Sequence, residues 1–329
     1  MKFFHLLVIF TITLTPLKTI TAQTPVAAHG QLKIDGNQML DEHNEPYQLT
    51  GMSLFWSNWQ GKFYNYDVIK WLRDDWNVNV VRAAMGISPD DNSGYLDRPE
   101  MEKKKVIDVI EAAIDLGIYV VVDWHSHHAE NETAEAQAFF EEIASTYGDY
   151  PNILYETYNE PETDWKTIKT YHESVISSIR THDQNNIIIL GTPFYSQNID
   201  QATDNPVNGD NLCYALHYYA ASHSFYNTVE TVINKGYYVF VSEFGTCEST
   251  GDGYVDDENS DTWWDFLDQY GVSWCNWAVS DVDEAASIVK PGSSIYGNWS
   301  SNDLTESGTL VRDKLQSYET DPIPNDIPP

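Results

Sequence analysis

Eight short apolar runs, rich in Val, Ile and Tyr and separated by amphipathic stretches, set the tightest limit on how this chain can fold. They cover residues 48–52, 78–84, 119–124, 153–158, 187–191, 212–218, 237–241 and 272–277. Runs that are apolar almost throughout suit parallel strands buried on both faces. The stretches at 101–116, 132–147, 164–182 and 261–270 carry apolar residues at helical spacing. Eight strands, each followed by a crossover, predict an α/β fold of the (β/α)8 barrel type, closed by a helix over 304–318. An open doubly wound sheet is the competing architecture, but no glycine-rich phosphate loop follows the first run. Ahead of the barrel, Leu32-Lys33-Ile34, Asp35-Gly36 and Met39-Leu40 read as a small lid-like β-hairpin.

The ends differ in kind from the body. Residues 1–22 read as a signal peptide: Lys2 opens it, a short apolar run reaches Leu14, and Pro16 and small residues lead to Ala22. The chain is therefore expected to be secreted and extracellular, with 23–318 as one catalytic barrel domain. Residues 319–329, with four prolines and three acids, read as a linker or tail. In an oxidising compartment Cys213, Cys247 and Cys275 allow one disulfide and one free thiol, without a choice of pairing. Eighteen Lys+Arg against 50 Asp+Glu give a formal charge of −32, which argues against nucleic acid or an anionic membrane as partner. A neutral ligand is compatible, and 11 Trp offer flat rings for stacking. A structural ion at the acidic loop 252–261 is the weaker reading there, a solvated face the stronger.

A barrel places its chemistry where strands end. The second run ends near Arg82, the third at Asp123-Trp124-His125, the fourth at Asn159-Glu160-Pro161, the sixth at His217-Tyr218-Tyr219. The seventh is followed by Ser242-Glu243-Phe244-Gly245 and the eighth ends at Asn276-Trp277. Glu160 alone fits a strand-ending turn, and Glu243 alone fits an ion pair with Arg82. Together, in a ring with Asn, His, Tyr and Trp, they match what glycoside hydrolysis needs: one carboxyl that donates a proton and one carboxylate that attacks or activates water. Arg82 is expected to keep Glu243 ionised, leaving Glu160 as the acid.

These residues carry a resemblance. Val81-Arg82, Asp123-Trp124-His125, Asn159-Glu160-Pro161, Leu216-His217-Tyr218-Tyr219-Ala220, Ser242-Glu243-Phe244-Gly245 and Asn276-Trp277-Ala278-Val279-Ser280-Asp281, in that order, resemble glycoside hydrolase family 5, in particular its bacterial-type endo-β-1,4-glucanases. The resemblance spans about residues 30 to 318. It implies that Glu160 is the acid/base and Glu243 the nucleophile of a retaining enzyme. It also implies that Asn159 holds the sugar 2-hydroxyl, Arg82 and Tyr219 position Glu243, and His125 and His217 line the cleaved sugar, with Trp277 as its platform. Trp59 would stack on an outer sugar, as would Trp56, Trp165 or Trp299 with less support. Two departures stand out: Val282 occupies a place where relatives often carry a Lys, leaving Glu284 as the partner of a distal sugar, and Phe55 stands where relatives commonly carry His.

The expected partner is a β-1,4-glucan, with mixed-linkage glucan, mannan, xylan or xyloglucan as alternatives, and the expected state is a monomer without metal or organic cofactor. Two other classes compete. A metal-dependent barrel hydrolase could use His125-Ser126-His127 with His217 and Asp281, but that dyad follows the third run and the fifth ends Leu190-Gly191-Thr192 without a ligand. His127 and His128 read instead as solvent-side loop residues. A silent carbohydrate-binding protein on the same fold would not need both glutamates and their helpers.

Overall fold

The structure, a computed structural model, describes residues 23–88 and 91–318. The segments read as signal peptide, 1–22, and tail, 319–329, lie outside the described residues.

The hairpin forms as expected, from β1 (Lys33–Asp35) and β2 (Gln38–Leu40) paired antiparallel. Eight parallel strands follow: β3 (Thr50–Leu54), β4 (Val80–Gly86), β5 (Tyr119–His125), β6 (Ile153–Glu156), β7 (Ile188–Leu190), β8 (Leu212–Tyr219), β9 (Val239–Gly245) and β10 (Trp274–Val279). β10 pairs with both β9 and β3, so the sheet closes into a barrel. The principal crossover helices are α1 (Tyr66–Trp76), α2 (Pro99–Leu116), α3 (Thr133–Tyr147), α4 (Trp165–Ile179), α5 (Ile199–Asp204), α6 (Tyr226–Asn234), α7 (Asp257–Tyr270) and α8 (Glu306–Ser317). Their ends follow capping chemistry. Asn65 and Asp164 accept backbone N–H groups at the starts of α1 and α4. Gly117 and Gly271 end α2 and α7 in the left-handed region, which costs glycine little.

Several strands run further toward their C-terminal ends than the apolar runs suggest. The first shifts from 48–52 to Thr50–Leu54, and the seventh from 237–241 to Val239–Gly245. The ladder continues because the barrel interior stays closed to water past the last apolar side chain, and polar residues there bond one another. β7 stops one residue short of its run, and β6 two: its ladder ends at Glu156, so the Asn159-Glu160-Pro161 segment leaves it as loop.

The interior has three levels. Leu49, Val80, Tyr119, Leu154, Ile187, Cys213, Phe240 and Cys275 fill the lower one, and Leu32 and Met39 of the hairpin segment pack beneath it. The hairpin is thus a lid on the N-terminal face, away from the strand ends. Above lies a charged level, and the top opens. Both ends of the described chain sit at the lower face. Val26 N–H donates to the Gly117 carbonyl, and the Asn77 side chain after α1 donates to the carbonyls of Leu315 and Tyr318. The one disulfide that the sequence allows is not formed: Cys213, Cys247 and Cys275 are all free thiols, the first and last in the lower interior and Cys247 near the top. No helix of the described residues is long and apolar enough to cross a membrane.

Candidate active site

The charged level is organised by Arg82, whose side chain is fully buried on β4. Its guanidinium meets Glu156 at 2.6 Å, Asp123 at 2.9 Å and Glu243 at 3.1 Å, and donates to Asn159 Oδ1 at 2.6 Å and Ser53 Oγ at 3.2 Å. A planar five-donor fork fixes several acceptors at once. Burial pulls Arg82's pKa down, but the three carboxylates outweigh it and hold the proton more firmly than usual. Glu156 is held below the usual carboxylate range: burial pushes up, and Arg82, His217 and Ser242 pull down harder.

Ser242 and Glu243 are neighbours in sequence, so a regular strand would point them to opposite faces. Between β8 and β9 the register slips from Ala215↔Phe240 to His217↔Glu243, which adds one residue on β9. This bulge turns both side chains to the interior. Ser242 Oγ donates to Glu156 Oε1 at 2.5 Å and lies 3.0 Å from His217 Nε2. Glu243 is gripped at both oxygens, by the Tyr219 hydroxyl at 3.0 Å and Arg82 Nη1 at 3.1 Å.

His217 joins the two glutamates, with Nδ1 3.0 Å from Glu160 Oε1. Burial lowers its pKa, but its carboxylate neighbours Glu156 and Glu160 raise it more, to about 9. It is an imidazolium at neutral pH, donating to Glu160 from one nitrogen and to Ser242 from the other. His125 is the opposite case: burial, with Arg82 nearby, drives its pKa well below the ordinary value, so its ring is neutral. Its Nδ1 lies 2.7 Å from Asp123, whose own carboxyl burial pushes well up. Arg82 does pull Glu243 down, as the sequence predicts, but it divides its charge among three carboxylates. Burial is the largest influence and, with Glu160 adding repulsion, leaves Glu243 above the ordinary glutamate value, which corrects the expectation of a lowered pKa.

These groups open onto a cleft of about 230 Å³, lined also by Phe55, Trp56, His127, Trp277, Glu284 and residues 249–251. Trp277, followed by a cis peptide to Ala278, lies parallel to His125 at 5.2 Å between ring centroids and packs against Phe55 at 4.9 Å. Trp56 meets His125 edge-on at 4.2 Å and Trp59 at 4.9 Å. Trp59, 48% exposed, stands at the rim with Nε1–H donating to Asp91 at 2.9 Å. Trp165 and Trp299 do not join this wall; they are buried in the outer core, their indole N–H groups donating to the carbonyls of Asn205 and Ser294. Glu284 faces the cleft beside Asp252, and burial with that charge raises its pKa.

The structure therefore brings Arg82, His125, Asn159, Glu160, His217, Tyr219, Glu243 and Trp277 together, with Glu284 and Trp59 further out. Among the described residues, the group of three that could hold an ion is Glu160, His217 and Glu243, within 4.8 Å of one another. Both ring nitrogens of His217 already have partners, Nδ1 with Glu160 and Nε2 with Ser242. The rival ligand set does not assemble: Asp281 pairs with Lys62 at 2.5 Å and His125 with Asp123. His127, expected on the solvent side, lines the cleft with Nε2 3.6 Å from Glu160 and Nδ1 3.0 Å from Glu162. Sequence reasoning also passed over Glu156 and Ser242. A charged residue inside an apolar run should have signalled Glu156, since buried carboxylates are paired.

Comparison with known proteins agrees with this geometry. A model of the family described as cellulase (glycosyl hydrolase family 5) matches residues 40–283. Endoglucanase A of Evansella cellulosilytica is 44% identical over 287 residues, 84% of this chain and 58% of that protein. An endoglucanase of Clostridium saccharobutylicum is 42% identical over 301 residues, 88% of this chain and 66% of the relative. The chain thus spans about three fifths to two thirds of the length of these curated relatives. Among solved structures, the catalytic domain of a Thermobifida fusca endoglucanase in complex with cellotetraose superposes with a TM-score of 0.85 at 35% identity, covering 90% of this chain and all of that one. With the family model spanning most of the barrel and the carboxylate ring in place at its mouth, this chain belongs to glycosyl hydrolase family 5, the cellulase family.

Proposed function

We propose that the chain is a secreted, retaining endo-β-1,4-glucanase that cleaves internal bonds of cellulose-like glucans, acting as a monomer without a metal or organic cofactor. The observation that carries this reading is the approach of Glu160 and Glu243 oxygens to within 4.8 Å across an open cleft. Double displacement needs carboxyl groups about 5 to 5.5 Å apart, whereas inversion needs about 6.5 to 9.5 Å to seat a water between them. Glu243 attacks the anomeric carbon while Glu160 gives its proton to the glycosidic oxygen; that C–O bond breaks, releasing one chain end and leaving a glycosyl ester on Glu243. Water then attacks the same carbon, its proton passing to Glu160, and the ester bond breaks to free the Glu243 carboxylate. Asn159, whose Oδ1 is occupied by Arg82, has its amide nitrogen for the 2-hydroxyl of the sugar. Trp277 forms the sugar platform, with Trp59 and Glu284 at outer positions. The open cleft favours endo action on a long chain.

The test is reducing-sugar release from carboxymethyl cellulose, with β-mannan, xylan, xyloglucan and mixed-linkage glucan for relative rate, each with and without EDTA. Rapid release from carboxymethyl cellulose, unchanged by EDTA, supports the reading. Release only from another glycan moves the substrate but keeps the mechanism, and loss with EDTA overturns it.

The pH profile gives a second check. Glu243 must be ionised to attack, so kcat/KM should be full above its pKa and fall as pH drops through it. Because burial and Glu160 raise that pKa, the acid limb should lie above the position an ordinary glutamate would give. Removing the Glu160 charge with Glu160→Gln should move the limb to lower pH, measured on an aryl cellobioside whose leaving group needs no proton.

A further inference from the structure

The segment carrying Glu160 has left the ladder of β6, so something else must hold it. On one side, Asn159 N–H and Glu160 N–H donate to the carbonyls of Trp124 and Ser126, at 3.2 and 3.3 Å. On the other stands a tight turn after β7, residues Pro193–Ser196. Ser196, fully buried, donates its hydroxyl to the Asn159 carbonyl at 2.7 Å and accepts from Thr192 N–H at 3.2 Å. Tyr195 N–H donates to the Pro161 carbonyl at 3.1 Å. Phe194, Tyr195 and Ser196 have φ of 58°, 57° and 54°, three consecutive non-glycine residues in the left-handed region. Side chains rarely adopt that backbone, and it persists only where its surroundings require it. Here it aims two donors at the carbonyls flanking Glu160.

We propose that Ser196 is a positioning residue for Glu160: its hydroxyl ties the turn after β7 to the acid/base segment and sets where the Glu160 carboxyl meets the leaving oxygen. This rests on the reading of Glu160 as proton donor. The side chain of Ser196 is fully buried and bonds backbone groups, so it acts through the segment it holds, and its loss should weigh most on the step that needs the Glu160 proton well placed. A small displacement of a catalytic group can cost on the order of 100-fold in rate.

Two variants remove the hydroxyl. Ser196→Ala keeps the strained backbone, whereas Ser196→Gly suits φ near 54° and guards against a simple folding defect. Each is assayed for kcat/KM on cellotetraose, whose leaving sugar needs a proton, and on 2,4-dinitrophenyl β-cellobioside, whose phenolate leaves without one. Glu160→Ala runs beside them, and thermal melts check the fold. Both Ser196 variants should lose about 10- to 100-fold on cellotetraose and keep their rate on the activated substrate, with Ser196→Gly melting no lower than wild type. Equal losses on both substrates, or none on either, would overturn the positioning role while a selective Glu160→Ala left the Glu160 reading standing. If Glu160→Ala were itself unselective, that reading would fail and the Ser196 assignment with it.

Discussion

Glu243→Ala should lower kcat/KM on carboxymethyl cellulose by roughly 10⁴-fold or more, the scale seen when a covalent nucleophile is removed. The fold should survive, because the residue is one of three carboxylates around Arg82 and its loss leaves Asp123 and Glu156 to hold that charge. The informative part is the rescue. Truncation to Ala vacates the space between Tyr219 and the anomeric carbon, and azide can enter it. With an activated aryl cellobioside, azide should attack once, from the face Glu243 used, and yield the α-glycosyl azide by a single inversion. A β-configured azide, or undiminished hydrolysis of the polymer, would place the nucleophile elsewhere. Product anomers are read by proton nuclear magnetic resonance.

Arg82→Met should be the most destabilising single change in the site. It removes the cation shared by three buried carboxylates, and breaking a buried ion pair from one side costs about 3 to 5 kcal/mol. For a chain of this size that is a fall in Tm on the order of 10 °C. The sign of its pH dependence follows from linkage. Without Arg82 the folded-state pKa values of Asp123 and Glu243 rise further above their unfolded values, and Glu156 loses the largest pull that holds it below. Carboxyls raised in this way destabilise the fold increasingly as pH climbs through them. The deficit against wild type should therefore be largest at neutral pH and shrink on acidification. Thermal melts of both proteins across the acid range check this; a deficit independent of pH would mean that Arg82 contributes packing rather than charge.

Much of this was legible in the sequence, and the reasons are specific. The eight runs announced eight barrel strands because strands buried on both faces cannot hide behind alternation. Glu160 and Glu243 stood out because each follows or ends such a run. The boundaries were less readable, since the ladder runs on past the apolar residues to His125 on β5 and through Ser242 and Glu243 on β9, whose polar bonds replace apolar burial. Ser242 was hidden by the β9 bulge, which overrides the period of two that assigns faces. Glu156 looked like an interruption in an apolar run because its partner, Arg82, is 74 residues distant in sequence. The raised pKa of Glu243 depends on how one guanidinium is divided among three acids, a quantity of three-dimensional geometry. The tryptophans split for the same reason: Trp277 and Trp59 border the cleft while Trp165 and Trp299 lie in the outer core, and composition is blind to that difference.

The lower-face position of residues 23 and 318 bears on how the molecule could be anchored. Residue 23 and residue 318 emerge beneath the barrel, on the side closed by the hairpin, while the cleft opens on the other side. A bead, an affinity handle or a fused partner attached directly at residue 23 or residue 318 would sit behind the molecule. A polymer too long and stiff to diffuse into a pore could still be laid across the outward-facing groove. Immobilisation through lysines would be a worse choice, since Lys62 pairs with Asp281 just after β10, at the working side. End-attached and lysine-attached preparations, compared on an insoluble glucan, would differ by how many molecules present an open groove to the fibre.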